Sequence, residues 1–511
     1  MIDAAPDPHR TIPANALTAH RLGIDTHHEA VVFMRKDCHV CRSEGFAAHA
    51  RVRISGGTGS VIATLYQVTS DLLPDGQAGL SESAWNRLSL AEGDAITVSH
   101  ARPLTSMSTV RARIYGNRTA ENEMQEVIDD IVAGRYSDID LAAFITACAS
   151  LPLSGAETAA LTRAMVNAGE TLHWSAYPVV DKHCVGGLPG NRTTPIVVAI
   201  LAACGLTMPK TSSRAITSPA GTADTMETLA PVALDLAHIR RVVEREGGCI
   251  VWGGAVRLSP ADDILIRVER ALDIDSEGQL IASVLSKKIA AGATHLVVDL
   301  PVGPTAKVRT DENAQILARN ISVIGKAFGL HIRVVTTDGT QPVGRGIGPA
   351  LEARDVLSVL RGEADAPDDL RDRAVRLAGA LLELAGATAE GAGVAVAAQV
   401  LADGRAWVKF QDICEAQGGM RTPPESAHRT PSVATTSGFV TEIDNRRLAR
   451  VAKLAGAPDA RAAGIEMHVR HGDLVQPGQP LFTIHAETPG ELAYALEYAA
   501  ANDDIVRLVE T

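Results

Sequence analysis

The sequence is poor in aromatic residues, which make up 3% of its 511 residues, although 46% of the residues are hydrophobic and 21% are charged. This balance is ordinary for a soluble globular protein, and it predicts a core of aliphatic side chains and alanine. Basic residues are not in excess, because the formal net charge is −12. That acidity argues against a nucleic-acid-binding protein. The length alone predicts two to four domains.

The sequence also lacks long apolar runs. The longest lies near residues 196–206, well short of the roughly 20 residues that a transmembrane helix needs. The amino terminus has no basic region followed by an apolar run, so we predict no signal peptide. Seven cysteines are dispersed along the chain, which is typical of a reducing compartment. We therefore expect a cytoplasmic protein with neither membrane nor nucleic acid as a partner.

Several cofactor and metal motifs are missing. No GxxxxGK[ST] loop, HExxH or EF-hand pattern occurs, so we predict no metal site and no cofactor. Cys38 and Cys41 form one CxxC, which could be half of a zinc site or a redox pair, but no second pair completes a zinc site. HGDLVQPGQPLFTI, near the carboxyl terminus, resembles biotin and lipoyl carriers, but the expected hairpin turn, EIDNRRL, carries no lysine.

The pattern of apolar and turn-forming residues changes along the chain. Residues 1–100 alternate β-rich runs with Gly, Asp and Ser turns, which predicts a β-rich amino-terminal domain. Apolar residues at i, i+3, i+4 and i+7 then predict helices, with Asp138 or Asp140 and Ser154 as N-caps. From Tyr177 strands and helices alternate, which predicts an α/β sheet with ligands beyond the carboxyl ends of its strands. After Pro431 short strands return.

Two polar stretches follow strands of this predicted sheet. The first, DKHCVGGLPGNRTTP at 181–195, offers Lys182, two glycine-rich turns and two threonines before a helix, which suits an anion at a helix start. The second, KTSSRAITSPAGTADT at 210–225, is rich in hydroxyl groups. Hydroxyls, backbone amides and one lysine together suit a phosphate. The alternatives are a solvated connection for the first stretch and a polar turn, capped within Thr222–Asp224, for the second.

Three further stretches are weaker signals. Ser283 and Lys287 in ASVLSKKIAAG are four residues apart and share one helical face, but an amphipathic helix alone would explain them. Lys307 follows a strand. GRGIG at 344–348 lacks the GxGxxG spacing of a dinucleotide site.

Together, DKHCVGGLPGNRTT, SSRAITSPAGTADTMETLAPV and ASVLSKKIAAG resemble the thymidine phosphorylase family of pentosyltransferases. The first two are most similar to its AMP phosphorylase branch, and the resemblance covers roughly residues 20–505. It implies an enzyme that uses phosphate to cleave the N-glycosidic bond of a nucleoside or nucleoside 5′-monophosphate. The products are a free base and (deoxy)ribose 1-phosphate or ribose 1,5-bisphosphate.

The resemblance also implies an architecture of the α/β class, with a helical domain beside a large α/β phosphate-binding domain. It implies a homodimer and leaves higher oligomers open. The helical domain is expected to be discontinuous. The implied boundaries are 1–100 for the β-rich amino-terminal domain, 105–165 and 260–290 for the helical domain, 166–259 and 291–430 for the α/β domain, and 431–511 for a β-rich, barrel-sandwich-like carboxy-terminal domain.

The matching motif positions imply a role for each site residue. Lys182, His183 and Asp275 take the catalytic positions, with Asp275 as the proton donor to the base. Implied phosphate contacts are Lys182, Thr194, Ser212 and Thr222, and implied base-side groups are His183, Ser283 and Lys287. The nucleotide-binding positions of the AMP phosphorylase branch correspond to Gly187, Ser213, Arg214, Ala215, Ile216, Thr217, Ser218, Thr222, Ser283 and Lys307.

The sequence departs from the family pattern at two points. Cys184 stands where serine is usual, which exchanges a hydroxyl for a weaker thiol donor. The arginine that reads the base in thymidine phosphorylases has no match in register, although Arg267 and Arg270 lie nearby. This puts pyrimidine specificity in doubt.

The basic residues bear on the substrate. Arg192, Arg214, Lys182 and Lys307 carry more positive charge than one attacking phosphate requires, so we expect a 5′-phosphate on the substrate. The alternative is that the arginines pair with carboxylates such as Asp224 or Glu227. Two other functions remain open: a Mg²⁺-dependent phosphoribosyltransferase on the related fold, and a non-catalytic nucleotide-binding regulator.

Overall fold

The computed structural model describes residues 15–57, 59–186, 188–215, 218–274 and 276–509. The chain divides into two compact units, residues 1–151 and 152–511. This division falls between Leu151 and Pro152, inside the region predicted as the helical domain. Within the described ranges, no helix combines the length and apolar character needed to span a membrane.

The first unit begins with a small domain of six strands and two short helices: β1 (Ala16–Arg21), β2 (Val31–Arg35), α1 (His39–Glu44), β3 (Arg51–Gly56), β4 (Gly59–Val68), β5 (Gln77–Leu80), α2 (Glu82–Leu88) and β6 (Ala95–His100). The strands close into a barrel in the order β1–β5–β2–β4–β3–β6, which leaves no free sheet edge. Alternate aliphatic side chains such as Val52, Ile54 and Leu65 fill its core.

The CxxC pair lies in this barrel domain and is buried. Cys38 is the N-cap residue of α1, and its Sγ accepts a hydrogen bond from the Cys41 backbone N–H at 3.2 Å. Its partner Cys41 and this cap lower the pKa of the Cys38 thiol to about 6. Among the described residues, no group of three or more His, Cys, Asp or Glu side chains is arranged to hold a metal ion.

Three helices complete the first unit: α3 (Ser106–Ile114), α4 (Glu121–Val132) and α5 (Asp138–Ser150). The prediction of Asp138 or Asp140 as the N-cap of α5 was wrong, because Ser137 holds the extended cap conformation. The Ser137 Oγ accepts a hydrogen bond from the Asp140 N–H at 3.2 Å, and the Asp140 carboxylate accepts one from the Ser137 N–H at 2.8 Å. Asp140 therefore completes the cap from the third helical position.

The second unit contains the alternating strands and helices, which are α6 (Gly155–Asn167), β7 (Val180–Cys184), α7 (Thr193–Ala203), β8 (Met208–Ser212), α8 (Thr222–Glu227), α9 (Leu236–Glu246), β9 (Gly248–Trp252), a 3₁₀ turn (Gly253–Val256), α10 (Pro260–Leu272), α11 (Glu277–Ala290), β10 (His295–Val302), α12 (Asp311–Ala327), β11 (His331–Asp338), β12 (Gly346–Ile347), α13 (Pro349–Arg361), α14 (Asp368–Leu384), α15 (Gly393–Ala402) and α16 (Arg405–Gln417). Helices α6 and α11 pack on each other.

Parallel strands organise this unit. Strands β11, β10 and β7 form one parallel sheet in that order, and β8 pairs with β9 in parallel. A parallel bridge between Val179 and Thr207 links the two sheets. The carboxyl ends of β7, β8 and β10 therefore lie on one edge, which is where open α/β sheets bind ligands.

The carboxy-terminal region follows, with β13 (His428–Val433), β14 (Gly438–Ile443), α17 (Asn445–Leu454), β15 (Gly464–Met467), β16 (Leu474–Val475), β17 (Pro480–Ala486), α18 (Pro489–Ala500) and β18 (Val506–Val509). Its strands form two sheets, β12–β15–β17–β13 and β16–β14–β18. The expectation of a hairpin turn at EIDNRRL was wrong. The Asp444 carboxylate accepts hydrogen bonds from the N–H groups of Arg446 and Arg447 at 2.9 and 3.0 Å, and so starts helix α17 instead.

The predicted N-cap at Ser154 is confirmed and supports the helix that packs on α11. The Ser154 Oγ accepts from the Glu157 N–H at 3.3 Å, and the Glu157 carboxylate accepts from the Ser154 N–H at 2.9 Å. Ser154→Ala should cost α6 about 1 kcal/mol. Amide hydrogen exchange in α6 should then accelerate by about fivefold. Ser150→Ala, at the exposed end of α5, is the matched control. Unchanged exchange in α6 would show that the cap contributes nothing to this helix.

Candidate active site

A buried lysine lies at the junction of β7 and the loop before α7. Lys182 is 1% exposed, and its Nζ donates to the Oγ1 of Thr193, the first residue of α7, at 2.7 Å. It forms no ion pair within the part of the chain that the structure describes. Burial lowers the pKa of Lys182, and the more distant carboxylate of Asp299 opposes that shift. An anion at the start of α7 would meet this ammonium group and the helix N-terminus together.

An ion triad lies directly beneath that loop. Asp181 forms ion pairs with Lys210 of β8 at 2.9 Å and with Lys288 of α11 at 2.8 Å, and all three side chains are buried. Burial alone would raise the pKa of Asp181, but the two ammonium groups outweigh it and lower that pKa. The Lys210 Nζ also donates to the backbone carbonyl of Lys182 at 2.8 Å. The triad therefore fixes the backbone that carries Lys182.

His183 follows Lys182 and is held neutral. Its pKa lies well below the usual value because the ring is shielded from water and because neighbouring lysines disfavour a second cation, namely Lys288, Lys210, Lys287 and Lys182. A neutral imidazole can donate one hydrogen bond and accept another. His183 is thus suited to a polar contact with an uncharged ring, as the resemblance implied for the base.

Ser283 and Lys287 share one face of α11, as their spacing predicted. The Lys287 Nζ donates to the Ser283 Oγ at 3.1 Å and to the Asp262 carboxylate of α10 at 2.6 Å. Asp262 therefore fixes the direction of the lysine side chain. Ser283 and Lys287 form one hydrogen-bonded pair.

The second polar stretch joins β8 to α8, and the structure describes it except at residues 216 and 217. Asp224 holds it by accepting from the N–H groups of Ala215 at 2.6 Å and Gly221 at 2.9 Å. A Cβ on Gly221 would lie 2.5 Å from the Arg214 carbonyl carbon, so only glycine fits there. The Ser218 Oγ donates to the Ala220 carbonyl at 2.8 Å. The buried Ser212 Oγ, at the end of β8, has no hydrogen-bond partner among the described residues.

Two arginines that the sequence suggested for a 5′-phosphate are paired with carboxylates. Arg192 forms an ion pair with buried Glu352 at 2.6 Å and donates to the Thr222 Oγ1 at 2.7 Å. The guanidinium group of Arg214 pairs with Asp224 at 3.1 Å and with Glu227 at 2.8 Å. The surplus of positive charge expected from the sequence is therefore cancelled within the fold. The alternative, carboxylate pairing, is the correct one for both arginines, and Thr222 links the two loops through Arg192.

Cys184 has polar neighbours that the sequence did not reveal. The Asn191 Nδ2 donates to the Cys184 Sγ at 3.0 Å and to the Asp299 carboxylate at 3.0 Å. The Thr337 Oγ1 donates to Asp299 at 2.6 Å. Cys184 of β7 and Asp299 of β10 lie opposite each other in the paired strands. A correct prediction of this strand pairing could therefore have revealed that the two residues are neighbours. Burial raises the pKa of the Cys184 thiol, which therefore stays protonated.

The structure gathers most of the predicted site residues at one sheet edge. Lys182, His183, Thr194, Ser212 and Ser213 lie at the ends of β7 and β8 or in the segments that follow them. Lys307 follows β10 and is exposed, while Arg267 and Arg270 lie on α10. Gly187, Ile216, Thr217 and Asp275 lie outside the described residues. Residues that the sequence did not single out are Lys210, Lys288, Asn191, Asp299 and Glu352.

Asp181→Asn should strongly destabilise the second unit, because it leaves two buried ammonium groups without their counter-ion. Breaking a buried ion pair costs about 3–5 kcal/mol. Calorimetry of the full chain should show a lower melting temperature. Asp372→Asn, which removes an exposed ion pair to Arg371, should leave the melting temperature nearly unchanged. Equal, small effects of the two variants would show that the triad is not a structural element.

Three family models match the chain. "Glycosyl transferase family, helical bundle domain" matches residues 108–169, "Glycosyl transferase family, a/b domain" matches residues 176–407, and "Pyrimidine nucleoside phosphorylase C-terminal domain" matches residues 439–505. The predicted fold class, a helical domain with a large α/β domain and a further carboxy-terminal domain, is thereby confirmed.

Solved structures show a likeness of fold alone. Anthranilate phosphoribosyltransferase from Thermus thermophilus has a TM-score of 0.50 at 24% identity and covers 60% of this chain and 98% of its own. The enzyme from Saccharomyces cerevisiae, in complex with PRPP and Mg, has a TM-score of 0.51 at 13% identity over 61% of this chain and 98% of its own.

Curated relatives are much more similar. "Putative thymidine phosphorylase" from Polaromonas sp. strain JS666 is 61% identical over 505 residues, 99% of each chain. "Putative thymidine phosphorylase 1" from Acidovorax sp. strain JS42 is 63% identical over 494 residues, 97% of each chain. With this identity along nearly its whole length, the chain belongs to the thymidine phosphorylase family, as the sequence motifs predicted.

Proposed function

We propose that the chain catalyses the phosphorolysis of a nucleoside, in which inorganic phosphate displaces the base from the sugar. The observation that carries this proposal is the buried ammonium group of Lys182 at the start of α7, which has no carboxylate within ion-pair distance among the described residues. The hydroxyl groups of Thr194 and Ser212 belong to the same edge of the sheet. One lysine, hydroxyl donors and a helix N-terminus suit a single phosphate ion.

The reaction forms one bond and breaks one. A phosphate oxygen attacks the anomeric carbon, the C–N glycosidic bond breaks, and its electron pair leaves with the base. The base takes up a proton, and the pentose leaves as its 1-phosphate. The sugar passes through an oxocarbenium-like state, so the enzyme must hold a negative oxygen on one side and stabilise the departing base on the other.

The base side is supplied by His183, Ser283 and Lys287. Neutral His183 can exchange hydrogen bonds with an uncharged ring. The Lys287 ammonium group is ion-paired with Asp262, so its part is that of a positioned hydrogen-bond donor to the departing base and not that of an unpaired charge. Such a donor stabilises the transition state more than the ground state, because the base becomes negative only as the bond breaks. No cofactor is needed for these steps.

We further propose a pyrimidine nucleoside as the preferred substrate. The names of the relatives and the pyrimidine nucleoside phosphorylase C-terminal domain support it. The pairing of Arg192 and Arg214 with carboxylates also supports it, since neither guanidinium group is left for a second phosphate. A nucleoside 5′-monophosphate is the second candidate. The hydroxyl-rich loop with Ser213 and Ser218, together with exposed Lys307 after β10, favours it.

Cytoplasmic location and a homodimer are part of the same proposal. The cysteines are free in the structure, which suits a reducing compartment. Ile114, Tyr115 and Ile139 are largely exposed on the helices of the first unit, with Tyr115 at 85%, and would be shielded by a second copy. Light scattering of the purified chain gives its mass directly, and a monomer at working concentration would reject the dimer.

Lys182→Ala should reduce turnover about 100-fold or more, the typical cost of losing one electrostatic contact to the reacting group. The measurement is phosphate-dependent release of base, with circular dichroism as the check on folding. Lys326→Ala removes an exposed lysine from α12 and is the matched control. A folded Lys182→Ala enzyme with near-normal kcat would show that Lys182 does not contact the reacting phosphate.

Cys184→Ser should retain activity and lower the KM for phosphate. A serine hydroxyl can still accept from Asn191, and it is a better donor than a thiol. Phosphate titrations at saturating nucleoside give both constants. Loss of activity with an intact fold would assign the thiol a function that a hydroxyl cannot replace.

A substrate panel tests the proposed function. Thymidine, uridine and adenosine should be compared with UMP, CMP and AMP by kcat/KM, with EDTA present and phosphate in excess. We expect thymidine or uridine to exceed every monophosphate at least tenfold, which corresponds to about 1.4 kcal/mol of transition-state preference. A monophosphate in first place would support the second candidate. Turnover only with phosphoribosyl pyrophosphate and Mg²⁺ would establish a phosphoribosyltransferase, and binding without turnover a regulator.

A further inference from the structure

A second cluster of basic residues lies far along the chain from the phosphate loops, in the first unit. A cavity of about 790 Å³ opens between the β3–β4 side of the barrel and helices α3 and α4. This volume is within the range of small-molecule sites, about 300–1,000 Å³. Five arginines line it, contributed by the barrel, the segment after β6, α3 and the turn after α4: Arg51, Arg53, Arg102, Arg111 and Arg135.

Two of these arginines have structural partners. Arg135 pairs with Asp130. Arg51 donates to the Thr64 Oγ1 at 2.9 Å and to the Arg135 carbonyl at 3.1 Å, and burial lowers its pKa. Arg53, Arg102 and Arg111 form no ion pair and no side-chain hydrogen bond within the described parts of the chain. Three guanidinium groups around one cavity therefore lack an ion-pair partner among the described residues.

Four carboxylates also line the cavity, and three of them already accept hydrogen bonds within the fold. Asp130 accepts from Ser106 and Arg135, and Asp140 is engaged in the cap of α5. Asp129 accepts from Gln125 at 2.9 Å. Glu126 lies on the exposed side of α4, so the described lining residues carry five guanidinium groups against four carboxylates, an excess of one positive charge. This local excess stands out in a chain whose net charge is −12.

We propose that this cavity binds a phosphate-bearing small molecule with at least two negative charges. Guanidinium groups bind phosphate oxygens through paired N–H donors, and several arginines around one cavity suit more than one phosphoryl oxygen pair. The lining contains no aromatic side chain, so phosphoryl groups, and not a stacked base, are the recognised feature. The residues that line this cavity belong to the first unit, whereas those of the proposed phosphorolysis belong to the second.

Hydrogen exchange of the full chain, with and without inorganic pyrophosphate, tests this proposal. Pyrophosphate should slow exchange in residues 101–111 and 129–135, whatever it does to the loops at 182–222. Protection confined to those loops would overturn the proposal, because the anion would then bind the catalytic site alone. Ribose 5-phosphate and ADP, run as parallel probes, distinguish a sugar phosphate from a nucleotide as the source of the phosphoryl group.

In the double variant Arg53→Gln/Arg111→Gln, the pyrophosphate concentration needed for the same protection should rise at least tenfold, because two groups that donate charge-assisted hydrogen bonds are lost. Arg42→Gln, an exposed arginine of α1 outside the cavity, is the control and should behave like the unchanged chain. If the double variant folds poorly, the single variant Arg102→Gln repeats the test, because Arg102 lies outside the helices and strands. The proposal would be overturned if pyrophosphate protected Arg102→Gln and a folded double variant as strongly as it protects the control.

Discussion

The candidate active site depends on one buried group of charges, Asp181 between Lys210 and Lys288. These side chains come from β7, β8 and α11, so the triad joins two strands and a helix beneath the phosphate loop. Removing charges from water costs several kcal/mol per ion, and only close opposite charges offset that cost. Because Lys210 also holds the Lys182 carbonyl, the requirement for charge pairing sets the position of the residue that meets the anion.

Helix α7 adds a buried helix N-terminus to this fixed position. Its residues from Thr193 to Ala202 are all buried, so it has no polar face and is held by apolar packing on every side. Its amino terminus alone meets polar groups. Arg192, just before the helix, is tied to Glu352 and to Thr222 of the second loop. A rigid helix end carries its backbone N–H groups and positive dipole to the same place as Lys182, which is preorganisation for an anion.

Local patterns in the sequence predicted where several of the candidate residues lie in the fold. Parallel strands predicted that the loops after β7 and β8 would meet at one edge, and the four-residue spacing predicted the contact of Ser283 with Lys287. Partners that are distant in sequence were missed. Arg192 and Glu352 are 160 residues apart, so no local pattern shows that this charge is cancelled. The cap of α5 was misassigned for another reason, since Ser137 and Asp140 share the task.

Few charges at the candidate site lack an ion-pair partner among the described residues, and Lys182 is the one beside the start of α7. Arg192 and Arg214 form ion pairs with carboxylates. Burial would raise the pKa of Asp299, but the positive charges of Lys182 and Arg373 lower it. Burial lowers the pKa of Lys288 to about 7 and also lowers the pKa of Lys182, so a bound anion would favour the protonated form of both lysines. In a buried site these charges act through a low effective dielectric, so their pairing matters more than it would in water. A second phosphate on the substrate would have to draw its counter-charge from outside this group, because Arg192 and Arg214 are already paired.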